Sequence, residues 1–242
     1  MKIGLFFGTF NPIHVGHLIV AQAALSQAGL DKVWFVISPS SPDKDYNKLL
    51  HEFDRFDLVR EAIRDNPDFK ALDVEFHLPK PSYTYQTIRK FKADFPGYEF
   101  FIILGSDNYD NLSRWKNAEE LRQNVRFVVY PRSENFEPGS ADELVIRIKA
   151  PLLQISASAI RELIRENKST RYMIPDDARN LIEKKKLLII RFCIPRPAYC
   201  SPAGLRFRNL PYPFSVRSRF WSTTTLPLRI TVFTLPVTST PS

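Results

Sequence analysis

Phe7-Gly8-Thr9-Phe10-Asn11-Pro12-Ile13-His14-Val15-Gly16-His17 stands between an apolar run, Ile3 to Phe7, and a helical pattern, Val15 to Ala28, that Gly29 closes. The order is strand, turn, helix. Gly8 and Gly16 let the backbone turn tightly and let a ligand approach it. His14 and His17 stand three apart at the helix start, so both imidazoles can face one side. The unpaired amides and the positive dipole end there favour a bound phosphate. Two imidazoles added to such an end make a place to hold a polyphosphate. A zinc site is the competing chemistry. The pair lacks the intervening Glu of a metalloprotease helix, and the remaining histidines, His51 and His77, have no ligand spacing. No protein-bound metal is expected.

Working outward, apolar strand-like runs alternate with helical periods. Strands are expected at Lys2–Gly8, Val33–Ser38, Ala71–His77, Glu99–Gly105, Val125–Tyr130 and Leu144–Ala150. Helical periods place Phe56, Val59 and Ile63 on one face of Glu52–Asp65, and Tyr85, Ile88 and Phe91 on one face of Tyr83–Phe95. Asn117 with Glu120 forms a helix-start pair before Leu121. This alternation predicts an α/β fold: a Rossmann-like open parallel sheet with helices on both faces. Ligands of such sheets sit at the carboxyl ends of strands where the strand order reverses. The polar, Pro-rich stretch 39–48, which carries Lys44 and Lys48, reads as a loop over that edge.

Charge divides the chain. The 242 residues carry a net charge of +8, with 34 basic and 26 acidic side chains. Residues 188–242 hold seven of the arginines, eight of the 19 prolines, both cysteines, and no Asp, Glu or Lys. The remainder, 1–187, keeps 27 basic side chains (34 less 7) against all 26 acids, the balance of an ordinary globular domain. The domain is therefore placed at 1–187, with 188–242 a basic Pro/Arg-rich tail. The tail shows no sustained period and reads as disordered or non-native, ahead of an RNA-binding arm; a nucleic-acid partner is not expected. With no cysteine before 188, disulfides cannot hold the domain together, which suits a cytoplasmic setting. No apolar run is long enough for a membrane span. A homo-oligomer is compatible with the sequence.

A second anion site is readable in Ile155-Ser156-Ala157-Ser158-Ala159-Ile160-Arg161, which opens a helix with apolar positions Ile160, Leu163 and Ile164. Ser156 or Ser158 can cap it, and Arg161 adds a fork of donors matched to phosphate oxygens. A serine cap with a nearby arginine is common, so this stretch acquires meaning beside the histidine motif.

Gly8 to His17 resembles the HxGH signature of the nucleotidylyltransferase superfamily, and Ile155 to Arg161 is similar to its ISxTxIR motif, with Ser158 where Thr is usual. The resemblance implies transfer of a nucleotidyl group from a nucleoside triphosphate with release of pyrophosphate. His14, His17 and Arg161 would be the catalytic clamps, and Gly8, Thr9, Phe10, Gly16, Ser156 and Ser158 would bind ATP. Mg²⁺ would accompany the phosphates.

Three more runs lie at the expected carboxyl edge: Pro81 to Thr87, Leu104 to Asn108 leading to Trp115, and Val129 to Arg132. They offer hydroxyls at a helix start, a carboxylate at a strand end, an indole for stacking and an arginine. Capped helix, N-capping Asp and core tryptophan are the bland readings of the same residues. Together the runs resemble the nicotinate-nucleotide adenylyltransferase branch over residues 1 to about 187. That branch joins the AMP of ATP to nicotinate mononucleotide. By resemblance Lys44, Tyr83, Thr84, Asp107, Trp115 and Arg132 would serve the acceptor. Arg55 fits the family pattern and reads equally as a structural anchor. Acceptors left open are nicotinamide mononucleotide and phosphopantetheine, and a non-catalytic nucleotide-binding regulator is the rival from another class.

Overall fold

The computed structural model describes residues 1–39, 49–131, 143–151 and 153–188. Lys44, Lys48, Arg132 and the tail beyond Leu188 lie outside the described residues.

The described chain runs β1 (Lys2–Gly8), α1 (Val15–Gln27), β2 (Lys32–Ile37), α2 (Glu52–Ala62), β3 (Phe69–Leu72), α3 (Thr84–Asp94), β4 (Glu99–Gly105), α4 (Ser106–Asp110), α5 (Ala118–Asn124), β5 (Arg126–Tyr130), β6 (Val145–Arg147), α6 (Ala157–Arg165) and α7 (Asp176–Lys185). The six strands form one sheet in the order β3-β2-β1-β4-β5-β6, and every pairing is parallel. Near-continuous apolar strands such as Phe100-Phe101-Ile102-Ile103-Leu104 suit a sheet covered on both faces.

Strand alternation sorts the core into two layers. Ile3, Leu5, Trp34, Ile102 and Phe127 pack with Ile88 and Phe91 of α3 and Leu121 of α5. Phe6, Phe35, Phe101 and Val128 face the opposite way, onto Ala21 and Ala24 of α1, Leu58 of α2, Ile160 of α6 and Ile182 of α7. Among the described residues no helix is long and apolar enough to cross a membrane. The order reverses between β1 and β4, so the carboxyl ends at Gly8 and Gly105 mark the crevice where such sheets take ligands.

Two strand expectations need correction. The run Ala71–His77 is a strand only to Leu72, and Val74–His77 is a 3₁₀ turn. The alternation Val74-Glu75-Phe76-His77 imitates a strand, yet Glu75 is buried and bonds hydroxyls rather than facing solvent. The sixth strand is confined to Val145–Arg147, at the sheet edge, rather than filling Leu144–Ala150. Asn117 does open α5, with its amide donating to the Glu120 carboxylate at 2.9 Å.

Arg55 fastens the crevice side of the sheet. Its side chain is fully buried. Nε donates to Leu50 O (3.0 Å), Nη1 to Thr9 O (2.6 Å) and Ser38 O (2.7 Å), and Nη2 to Pro39 O (2.8 Å). One planar fork thereby ties the chain leaving β1 and the chain leaving β2 to the start of α2. Burial lowers its pKa to about 10, so it remains a cation at neutral pH. Arg55→Met would strand several buried carbonyls and should lower the unfolding free energy by about 3–5 kcal/mol. Urea denaturation checks this: the midpoint should fall with the slope unchanged, and a midpoint near wild type would contradict the anchor.

Candidate active site

The loop after β1 is built around rings. Phe10 is buried at φ 44°, in the left-handed region that bulky residues rarely occupy. That turn sends its ring back into the core, 5.8 Å from Phe6 and 5.1 Å from His17 between centroids. A Cβ on Gly8 would stand 2.9 Å from the Phe10 ring, and one on Gly16 would stand 3.0 Å from His14 Nδ1. The space is taken by the protein's own rings, and the strained turn falls on Phe10.

His14 caps α1 and His17 sits in its first turn. Their rings stack at 3.8 Å between centroids, inclined by 28°. The His14 amide donates to His17 Nδ1 at 3.3 Å, so the neutral His17 ring carries its proton on Nε2. His14 is buried, and burial lowers its pKa from the ordinary 6.5 to about 4. It is neutral at pH 7. The helix start is less bare than the sequence implies. Val15 N–H donates to Met173 O and His17 N–H to His14 O, both at 2.9 Å. Two of the amides at this helix start are thus already engaged, which leaves the imidazoles as its more open polar groups.

The second motif arrives at the same place. Arg161 Nη1 donates to Asn11 O at 2.7 Å, a contact that spans 150 residues of sequence. Its Nη2 donates to Ser158 Oγ at 3.0 Å. Ser156, not Ser158, caps α6, accepting from Ala159 N–H at 3.1 Å. Burial lowers the Arg161 pKa, and the nearby Arg165 cation acts in the same direction. Among the described residues, His14 Nδ1 and Arg161 Nε are two of the four buried side-chain polar atoms that lack a hydrogen-bond partner. Orphaned donors and acceptors of this kind call for an explanation, and a bound polyphosphate supplies one. Asn11 joins the two halves: its carbonyl accepts from Arg161, and its Oδ1 accepts from Leu50 N–H at 3.1 Å.

The acceptor candidates gather at the starts of α3 and α4. Tyr83 caps α3 and Thr84 is its first residue; both are half-buried. Asp107 lies exposed in α4, directly after the buried Ser106 that opens the helix. Trp115 is half-buried against the core layer of Leu5, Ile102 and Phe127, so part of the indole serves the core. Lys116 Nζ lies 4.3 Å from the Tyr83 ring centroid, which brings the Trp115–Lys116 segment to the start of α3. Lys44 and Arg132 are outside the described residues. Sequence reading missed Glu75, whose carboxylate binds both Ser82 and Thr87 at 3.0 Å. The available signal was a pair of hydroxyls flanking the α3 start with an acid shortly before them.

A cytidylyltransferase-like family model matches residues 5–163. A probable nicotinate-nucleotide adenylyltransferase of Cytophaga hutchinsonii is 46% identical over 187 residues, 77% of this chain and 97% of that protein. One from Flavobacterium psychrophilum is 43% identical over 178 residues, 72% of this chain and 92% of that protein. The chain belongs to the nicotinate-nucleotide adenylyltransferase family of cytidylyltransferase-like proteins. The solved structure of Plasmodium falciparum nicotinic acid mononucleotide adenylyltransferase complexed with NaAD shares the fold, with a TM-score of 0.65 at 22% identity over 77% of this chain and 97% of that chain.

The buried neutral His14 has a measurable consequence. The unfolded chain takes up its proton near pH 6.5, whereas the native state resists until about pH 4. Its contribution is therefore present above pH 6.5 and is lost as pH falls through that window. The stability difference between wild type and His14→Asn should close by at most about 3 kcal/mol from pH 7 to pH 4. Denaturant unfolding at the two pH values checks this, and a difference independent of pH would contradict it.

Proposed function

We propose that the chain transfers the adenylyl group of ATP to nicotinate mononucleotide, giving nicotinate adenine dinucleotide and pyrophosphate. An oxygen of the acceptor's phosphate attacks the α-phosphorus, the α–β anhydride bond breaks, and the β and γ phosphates leave together. Such transfers need little covalent help from protein, and positioning with charge stabilisation supplies most of the acceleration. His17 Nε2–H and the Arg161 fork are the donors that hold the departing phosphates, and His14 presents its unpartnered Nδ1 beside them.

Tyr83, Thr84, Asp107 and Trp115 form the acceptor side in this reading, with Arg132 and Lys44 as further contacts. The observation that carries the acceptor assignment is the 46% identity that extends over 97% of the Cytophaga relative. Mg²⁺ would accompany the triphosphate and would supply neutralisation of its charge. Among the described residues no group of three or more His, Cys, Asp or Glu side chains could hold a metal ion, so the donor set does not fit a protein-built cage. The tail after Leu187 is dispensable in this account, since the Cytophaga relative is matched almost whole by 187 residues. A cytoplasmic setting suits a domain without cysteines.

The test offers ATP with nicotinate mononucleotide, nicotinamide mononucleotide and phosphopantetheine, and follows pyrophosphate and dinucleotide. The nicotinate form should win in kcat/KM over the nicotinamide form by about five- to 150-fold, the value of a charge-assisted hydrogen bond that the amide cannot make. Equal constants for the two would contradict the acceptor assignment. Absence of turnover with all three, in a protein that binds ATP, would favour the regulator.

A further inference from the structure

We infer that Glu75 is a positioning residue for the acceptor half of the site, acting through the first turn of α3. The inference rests on the acceptor reading of Tyr83 and Thr84 above. Glu75 is 2% exposed, Ser82 is 7% and Thr87 is fully buried. Ser82 Oγ donates to Glu75 Oε2 and Thr87 Oγ1 donates to Oε1, each at 3.0 Å.

The places of these hydroxyls give the arrangement its meaning. Tyr83 caps α3, so Ser82 is the residue before the cap and Thr87 is the fourth of the helix. In many helices those two positions carry apolar side chains that touch and set the angle at which the chain enters. Here one carboxylate takes both. It grips the helix from either side of Tyr83-Thr84-Tyr85-Gln86, the cap and first turn. The Tyr83 amide, meanwhile, donates to Gln86 Oε1 at 3.2 Å, so the turn is closed locally as well.

A buried acid has cheaper substitutes if the only task is to fill space. An apolar staple avoids the cost of desolvating a carboxylate. What the carboxylate adds is a fixed hold: its two oxygens take Ser82 and Thr87 separately, on either side of the helix start. Glu75 thereby sets where that turn stands.

Steady-state kinetics of the full chain test this. The acceptor used is whichever one the wild type prefers, so a wrong acceptor identity and a wrong role for Glu75 give separate outcomes. Glu75→Ala should raise the acceptor KM about tenfold or more, while the KM for ATP stays within about twofold. Glu75→Gln keeps the shape and one carbonyl oxygen, and a hydroxyl can rotate to accept from its amide. It should recover most of the loss. Ser82→Ala combined with Thr87→Val removes the two grips without touching the acid, and should reproduce the rise in acceptor KM even if Glu75→Ala does not fold. An equal rise in both KM values, or an unchanged acceptor KM in the Ser82/Thr87 pair, would overturn the inference.

Discussion

A guanidinium sealed from water must find an acceptor for nearly every N–H it owns, and Arg55 finds them in the backbone carbonyls of Leu50, Thr9, Ser38 and Pro39. Much of the site's geometry follows from that constraint. Thr9 and Ser38 are where the chain leaves two neighbouring parallel strands, and the reversal of strand order lies beside them. A charge that cannot be moved without abandoning several carbonyls fixes the height and direction of both exits. The loop that holds Phe10 in a left-handed turn, and through it the His14–His17 stack, starts from one of those exits.

Three long-range contacts then assemble a single crevice from separate stretches of chain. Arg161 reaches the Asn11 carbonyl, Val15 N–H reaches the Met173 carbonyl, and Asn11 Oδ1 receives Leu50 N–H. None of these pairs is close in sequence, and all use at least one backbone group. Backbone partners tolerate side-chain change on one side, yet they hold a position as firmly as a side-chain pair. The result is a crevice with two orphaned buried atoms, His14 Nδ1 and Arg161 Nε, in surroundings where electrostatic interactions are stronger than in water.

Much of this was legible from residue types. Parallel strands covered on both faces are continuous apolar runs, so β1, β2, β4 and β5 announce themselves. The spacing of His14 and His17 and the Ser-Ala-Ser-Ala-Ile-Arg run mark two helix starts, which the Arg161 to Asn11 contact brings together. What stayed hidden has a common physical reason: the information lies in partners that carry no side-chain signature. Arg55 looks like any helix arginine until Thr9, Ser38 and Pro39 turn their carbonyls to it. Glu75 sits in an alternating pattern that imitates a strand, and only the hydroxyls it meets reveal the 3₁₀ turn. The glycines were legible as necessary, but the occupants of their space, the Phe10 and His14 rings, were not.

The central claim is that the α1 start, with its imidazole pair, stabilises the phosphates more in the transition state than in the ground state. Turnover of His17→Ala measures this most directly. The account predicts a loss of about 100-fold or more in kcat, typical of one missing electrostatic donor, with the acceptor KM little changed. Near-normal kcat in a folded His17→Ala protein would contradict it.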